Sequence, residues 1–272
     1  GFGETAGAPL ARHPGVDKIA FTGSVETGKL IMKAAADTVK RVSLELGGKS
    51  PNIFFADSDF EAAVDGALFG VFINQGEVCS AGSRILVEKT IYKAFLEGMV
   101  EKTKRVKLGP PLERETKMGP VVNREQFERV RSYQEIGKKE AKVAIGGGPA
   151  TGPGLDRGFY IEPTIFYDVD NRARIAREEI FGPVAAVIPF ENEAQAIQIA
   201  NDSPFGLSSG VWARTTERAL GLARQLRAGQ CFINGAVFNY QAPFGGYKQS
   251  GNGREWGEEG LSEFVEVKAM QV

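Results

Sequence analysis

The chain has 272 residues, 42% of them apolar, which suits a sizeable core and argues against disorder. Lys plus Arg number 33 against 34 Asp plus Glu, so no charge excess points to nucleic acid or to an anionic membrane. Two cysteines and one histidine cannot supply a disulfide framework and leave almost no ligand set for zinc. No apolar run reaches bilayer length and no signal peptide is visible, so a cytoplasmic protein is the expectation.

The opening stretch "GFGETAGAPLARHPG" lacks a Met and reads as the interior of a longer chain. The first sixty residues then read as β-α-β. Ile19 to Phe21 form a short apolar strand ended by Gly23. Ser24 suits a helix cap, with Leu30, Ile31, Ala34 and Ala35 at helical spacing. "RVSLEL", Arg41 to Leu46, is a second strand stopped by Gly47-Gly48, and a crossover of this length implies a parallel pair. "SDFEAAVDGALFGVFINQG" predicts a helix, with Ser58 and Glu61 as a capping box and Phe60, Val64, Ala67, Leu68 and Val71 on one face. It ends at Gly76, just before Cys79.

"RILVE" is a strand, followed by helices over Thr90 to Val106 and Asn123 to Lys139. "KVAIGGG", "YIEPTIFYDV" and "VAAVIPF" are strands. Helices over Glu191 to Asn201 and Thr215 to Ala228 flank the strand "LSSGVWA". "CFING" is another short strand, then "PFGGYKQSGNGRE" a glycine-rich loop. The end, "VEVKAMQV", alternates like an exposed strand. Strands alternating with helices predict an α/β fold with a mostly parallel sheet.

Three segments stand out chemically. In "FTGSVETG" a strand ends in Gly23 and a helix starts at Ser24, so free backbone N–H groups and a positive dipole end suit an anion. The spacing is not G-x-G-x-x-G, and an ordinary capped helix explains this stretch equally. In "LELGGKSP", Glu45 falls near the C-terminal end of the second strand, on the same sheet edge as Gly23, where parallel sheets bind ligands. Its alternatives are a carboxylate in solvent or one paired with Lys49. In "REEIFGPV", a carboxylate held by a Gly-Pro turn suits the hydroxyls of a ribose, although adjacent glutamates are more often plain surface.

Cys79, in "NQGEVCSAGSR", has polar and glycine neighbours, unlike a core cysteine. A nucleophilic thiol needs a base or a lowered pKa, since the free group titrates at roughly 8.5. His13 lies in a polar "ARHPG" turn and is poorly placed, so the candidate base is a carboxylate, Glu45. Cys231, in "QCFIN", reads as a strand-core thiol.

Read together and in order, "FTGSVETG", "LELGGKSP", "NQGEVCSAGSR", "EEIFGPV" and "PFGGYKQSGNGRE" resemble the NAD(P)-dependent aldehyde dehydrogenase superfamily. The resemblance runs from Gly1 to Val272 and matches about the C-terminal half of a family chain. It implies a partial Rossmann-like cofactor domain over residues 1–47, a catalytic domain over 48–256, and a C-terminal helix and oligomerisation strand over 257–272. It implies NAD or NADP as cofactor, a small-molecule aldehyde as substrate, and a homo-oligomer, dimer or tetramer, with the missing N-terminal half as a further partner.

The resemblance also assigns roles. Cys79 would attack the aldehyde carbon, and Glu45 would activate the water that hydrolyses the resulting thioester. Glu255 would be a second, proton-relaying carboxylate. Gly23, Ser24, Gly28, Leu46, Gly47, Gln126, Glu179 and Phe181 would contact the cofactor, and Phe72, Phe238 and Phe244 would line the substrate tunnel. No metal is implied. A carboxylate at Glu45 resembles the hydrolytic branch, since the CoA-acylating branch lacks it. The family's oxyanion-hole Asn and the residue choosing NAD over NADP lie in the part not present, so the chain alone is expected to be a poor dehydrogenase. Two other functions fit the residues: a cofactor-independent thiol esterase or acyltransferase using Cys79 and Glu45, and a non-catalytic role in subunit association through Val265 to Val272.

Overall fold

A computed structural model describes all residues from Gly1 to Val272. After a short helix α1 (Ala8–Arg12), the expected β-α-β unit forms from β1 (Lys18–Thr22), α2 (Val25–Ala36) and β2 (Arg41–Glu45). The two strands are parallel, from Lys18 opposite Arg41 to Thr22 opposite Glu45. Ser24 adopts an extended backbone and its hydroxyl accepts the Thr27 N–H at 3.1 Å, which satisfies one free donor of α2.

The chain continues through β3 (Pro51–Phe54), α3 (Phe60–Phe72), β4 (Arg84–Glu88), α4 (Tyr92–Thr103), α5 (Arg124–Glu140) and β5 (Lys142–Ile145). Then follow β6 (Thr164–Tyr167), α6 (Arg174–Arg177), β7 (Val184–Phe190), α7 (Glu193–Asn201), β8 (Phe205–Gly206), β9 (Gly210–Trp212) and α8 (Thr216–Ala223). The last elements are β10 (Phe232–Ile233), β11 (Tyr247–Lys248), β12 (Gly251–Asn252) and α9 (Gly257–Ser262).

A 7-stranded sheet has the order β10-β9-β3-β4-β7-β6-β5, parallel except for the β5–β6 pair. Its central strands are buried on both faces, as parallel strands covered by helices must be. Successive residues feed opposite cores. Ile53, Leu86, Ala186, Ile188 and Val211 join one cluster of 23 residues. Phe54, Ile85, Val87, Ala185, Val187 and Trp212 join another of 16. No helix is long and apolar enough to cross a membrane.

Three expectations are corrected. Ser58 and Glu61 do not form a capping box. Ser58 Oγ donates to the Phe55 carbonyl to close the turn after β3, which leaves Asp59 to cap α3 by accepting the Ala62 N–H. The glycine-rich segment is not only loop: β12 pairs antiparallel with β2, and β11 with β8. The terminal residues Val265 to Val272 form no strand within the single chain, because a strand needs a ladder partner and none is adjacent.

Arg84, at the start of β4, has no exposed surface and still finds an acceptor for each donor group it turns inward. Its guanidinium donates to the carbonyls of Lys49 (3.0 Å), Ile199 (2.9 Å) and Ala200 (2.8 Å) and to Asn171 Oδ1 (2.8 Å). It thereby ties the segment after β2 to the end of α7. Arg84→Lys keeps the charge but not the planar fork, and is expected to destabilise the chain by about 2–4 kcal/mol in denaturant unfolding. An unchanged midpoint would show that the fork carries no stability.

Candidate active site

A cavity of about 910 Å³ opens where β1 and β2 end, α2 begins, and the loop carrying Cys79 passes over the segment before β7. Gly23, Ser24, Glu45, Leu46, Gly47, Cys79, Gln126, Glu179 and Phe181 all line it. These residues come from five separate stretches of sequence. The parallel β1–β2 pair places Gly23 and Glu45 on one edge: the Gly23 N–H donates to the Glu45 carbonyl at 3.0 Å.

Glu45 is the last residue of β2 and is 4% exposed. Its backbone pairs with Gly251 of β12, and Leu46 N–H donates to the Ser250 carbonyl at 2.9 Å. The carboxyl lies against Gly245, where a Cβ would come within 2.9 Å of Oε1. Oε2 is buried and has no partner from the chain. Burial first, and then the charge of Glu255, push its pKa up to about 8, while Arg254 pulls the other way. Lys49 is fully buried and answers to Arg84, Glu179 and Glu178, so it does not neutralise Glu45.

Cys79 is half-buried and free. Burial raises its thiol pKa, as do the charges of Glu179 and Glu45, against backbone N–H groups at Ser80 and Cys79 that favour the thiolate. A thiol in this setting is neutral at rest and needs a base. His13 is not that base: it is exposed and accepts the Gly15 N–H in its own turn. Cys231 is also free; it lies just before β10, not within it, and is partly buried against the larger core cluster.

Glu179 Oε1 accepts the Gly48 N–H at 3.1 Å. This approach depends on Gly47, since a Cβ there would fall 2.1 Å from Glu179 Oε2. Phe181 holds a left-handed φ of 60°, a strained conformation for a phenylalanine. Helix α5 holds that turn: Gln126 Nε2 donates to the carbonyls of Ile180 and Phe181, and Arg129 to those of Glu179 and Ile180. The remaining expected residues lie outside the cavity wall. Gly28 packs on Leu46, and Phe72 is in the smaller of the two large core clusters. Phe238 and Phe244 stand in an aromatic group with Tyr240 and Trp256, their centroids 6.2 Å apart. Glu255 is joined to Phe244 by a two-bond backbone bridge and reaches the cavity through its charge on Glu45.

Sequence reasoning missed Arg129 and Glu77, both in the wall, and Arg254, which acts on Glu45. Arg129 sits three residues after Gln126, the next helical neighbour on that face. That spacing was the available signal.

The residues present fit the reactive half of a dinucleotide. The start of α2 offers an anion site, Glu179 offers hydroxyl acceptors, and the cavity holds both beside Cys79. The α/β fold thus sets a free thiol and a buried carboxylate beside one cavity.

Comparison with known proteins agrees. Residues 1–270 match the aldehyde dehydrogenase family, and the chain belongs to that family. It is 47% identical to aldehyde dehydrogenase 1A1 of Gallus gallus, covering 100% of this chain and 53% of that one. It is 49% identical to betaine aldehyde dehydrogenase of Bacillus subtilis (strain 168), covering 98% and 55%, and 49% to retinal dehydrogenase 2 of Homo sapiens, covering 100% and 52%. A betaine aldehyde dehydrogenase structure from Staphylococcus aureus, in complex with NAD+, superposes with a TM-score of 0.95 at 46% identity, over 97% of this chain and 53% of that one. The chain spans about half the length of the curated relatives it matches.

Glu45 has a pH signature in stability. Its folded pKa lies above the ordinary 4.5, so the protonated carboxyl favours the folded chain at acid pH. That advantage is lost as pH rises from about 4.5 through about 8. Glu45→Gln is therefore expected to stabilise the chain by about 1–3 kcal/mol at pH 9 and by little at pH 5, in urea unfolding. Equal effects at both pH values would show that the carboxyl is not destabilised by burial.

Proposed function

We propose that this chain supplies the thiol nucleophile, the general base and the reactive half of the cofactor site of an enzyme that oxidises an aldehyde to a carboxylic acid with NAD or NADP. The observation that carries this reading is the shared cavity: a half-buried Cys79 and a buried, unpartnered Glu45 carboxyl face it together, with no histidine beside them.

Cys79 Sγ gives its proton to a base and adds to the carbonyl carbon of the aldehyde. Glu45, with a pKa of about 8, is mostly protonated at neutral pH, and its ionised fraction, which grows as pH rises toward 8, is a stronger base than an ordinary carboxylate. Bound in the cavity, the cofactor supplies the acceptor for the electron pair and hydrogen that leave the substrate carbon. Glu45 passes the thiol proton on through Glu255 to solvent, and once ionised again takes a proton from water as the water attacks the acyl carbon on Cys79. The carboxylic acid departs and Sγ is restored. Glu255 raises the Glu45 pKa by its charge and offers the next carboxylate in a relay. Glu179 holds the cofactor ribose and Phe181 its surroundings, and Gln126 and Arg129 brace that turn.

The remaining assignments follow the same reading. Residues 1–47 belong to a cofactor domain, 48–256 to a catalytic domain, and 257–272 to an assembly segment. The exposed Val265, Val267, Met270 and Val272 suit strand addition to another copy in a homo-oligomer. The protein is assigned to the cytoplasm.

In the protein that carries this chain, Cys79→Ala is expected to abolish aldehyde-dependent NAD(P)H formation. Glu45→Gln is expected to lower turnover by roughly 10²–10⁴ and to slow any initial burst of NAD(P)H, because it removes the base for thiol addition as well as for deacylation. Saturating NAD+ is expected to slow alkylation of Cys79. Turnover surviving Cys79→Ala would overturn the proposal. Ester hydrolysis by Cys79 with no effect of NAD+ would favour cofactor-independent acyl transfer instead.

A further inference from the structure

The loop that carries Cys79 is strained. Asn74, Gln75 and Gly76 take left-handed φ values of 49°, 46° and 77° in succession. Two of the three carry a Cβ, so the conformation needs outside support. One side of the loop is walled by backbone: Gly76 passes so close to Gly182 that a Cβ would lie 2.2 Å from its carbonyl oxygen. The other side is held by Glu77. Its Oε1 accepts the Val122 N–H at 3.1 Å, and its Oε2 accepts Gln75 Nε2 at 3.2 Å. Its own N–H donates to the Asn74 carbonyl at 2.9 Å.

We propose that Glu77 is a positioning residue for the Cys79 thiol, bridging the strained loop to the start of helix α5 through both carboxylate oxygens. Val122 directly precedes Asn123, whose side chain caps this 17-residue helix. The same helix start holds the turn of Glu179 to Phe181 through Gln126 and Arg129. The nucleophile loop and the cofactor turn therefore hang from one mount. The charges that raise the thiol pKa are those of Glu179 and Glu45, so the contribution of Glu77 is its bridge and not its field. The inference rests on reading Cys79 as the nucleophile.

The bridge and the charge can be separated. Glu77→Gln keeps the length: its carbonyl still accepts the Val122 N–H, and its amide donates to Gln75 once that side chain turns over. Glu77→Asp keeps the charge but is one methylene too short to span both donors. Glu77→Ala loses both. The measurement is iodoacetamide alkylation of the full chain between pH 7 and 10, resolved by peptide mass, so that Cys231 reports on the fold. Glu77→Gln is expected to reproduce the parent Cys79 profile. Glu77→Asp and Glu77→Ala are expected to alkylate at Cys79 about fivefold faster at pH 8, with the midpoint moved down toward that of an ordinary thiol and Cys231 unchanged. If Cys231 also opens in Glu77→Ala, that variant has unfolded and Glu77→Asp decides. A parent-like profile in Glu77→Asp, or a Glu77→Gln profile matching Glu77→Ala, would overturn the proposal. Loss of aldehyde-dependent NAD(P)H formation in Cys79→Ala of the protein that carries this chain is a separate reading, so failure of the nucleophile assignment is distinguishable from failure of this one.

Discussion

The burial of the Glu45 carboxyl is the constraint on which the site depends. A carboxylate taken out of water without a partner destabilises the chain, and here Glu255 adds like charge. The structure answers by fixing the group from both sides. β1 and β2 place it at the sheet edge, and β12 closes over it. The glycine-rich segment exists in this form because Gly245 leaves room for the carboxyl and Gly251, at φ 127°, lies on the Leu44 carbonyl. The result is a base whose pKa is near 8 beside a thiol that burial keeps protonated. In an ordinary environment the carboxylate would be too weak a base for that thiol.

Much of this was legible in the sequence. Long periodic segments gave α3 and α5, and the apolar runs gave the central strands, because burial on two faces demands uninterrupted Val, Ile and Phe. The order of five short motifs placed Cys79, Glu45 and Glu179 in one site before any geometry was known. β11 and β12 were not legible. Each is two residues long, Tyr247–Lys248 and Gly251–Asn252, too short to show any alternation, so only the partner strands define them. The cap of α3 shifted by one residue because Ser58 is used in closing a turn, a contact that depends on where β3 ends. Residues 265–272 alternate like a strand but have no partner within one chain.

The roles of Glu77 and Arg129 were hidden for a different reason. Both act on backbone: Glu77 on the Val122 N–H, and Arg129 on the carbonyls of Glu179 and Ile180. Contacts from a side chain to distant main chain leave no pattern in sequence, because any residue can supply the main-chain partner. The same holds for Arg84, whose acceptors are mostly carbonyls at the end of α7 and after β2.

The most direct test of the account is the thiol pKa of Cys79 in the parent chain and in Glu45→Gln, read from the pH dependence of its alkylation rate. The account predicts a parent pKa above the ordinary thiol value and a downward shift in the variant, since the ionised Glu45 carboxylate acts on the thiol across the cavity. An identical profile in both would contradict it, and would place the two groups in separate environments.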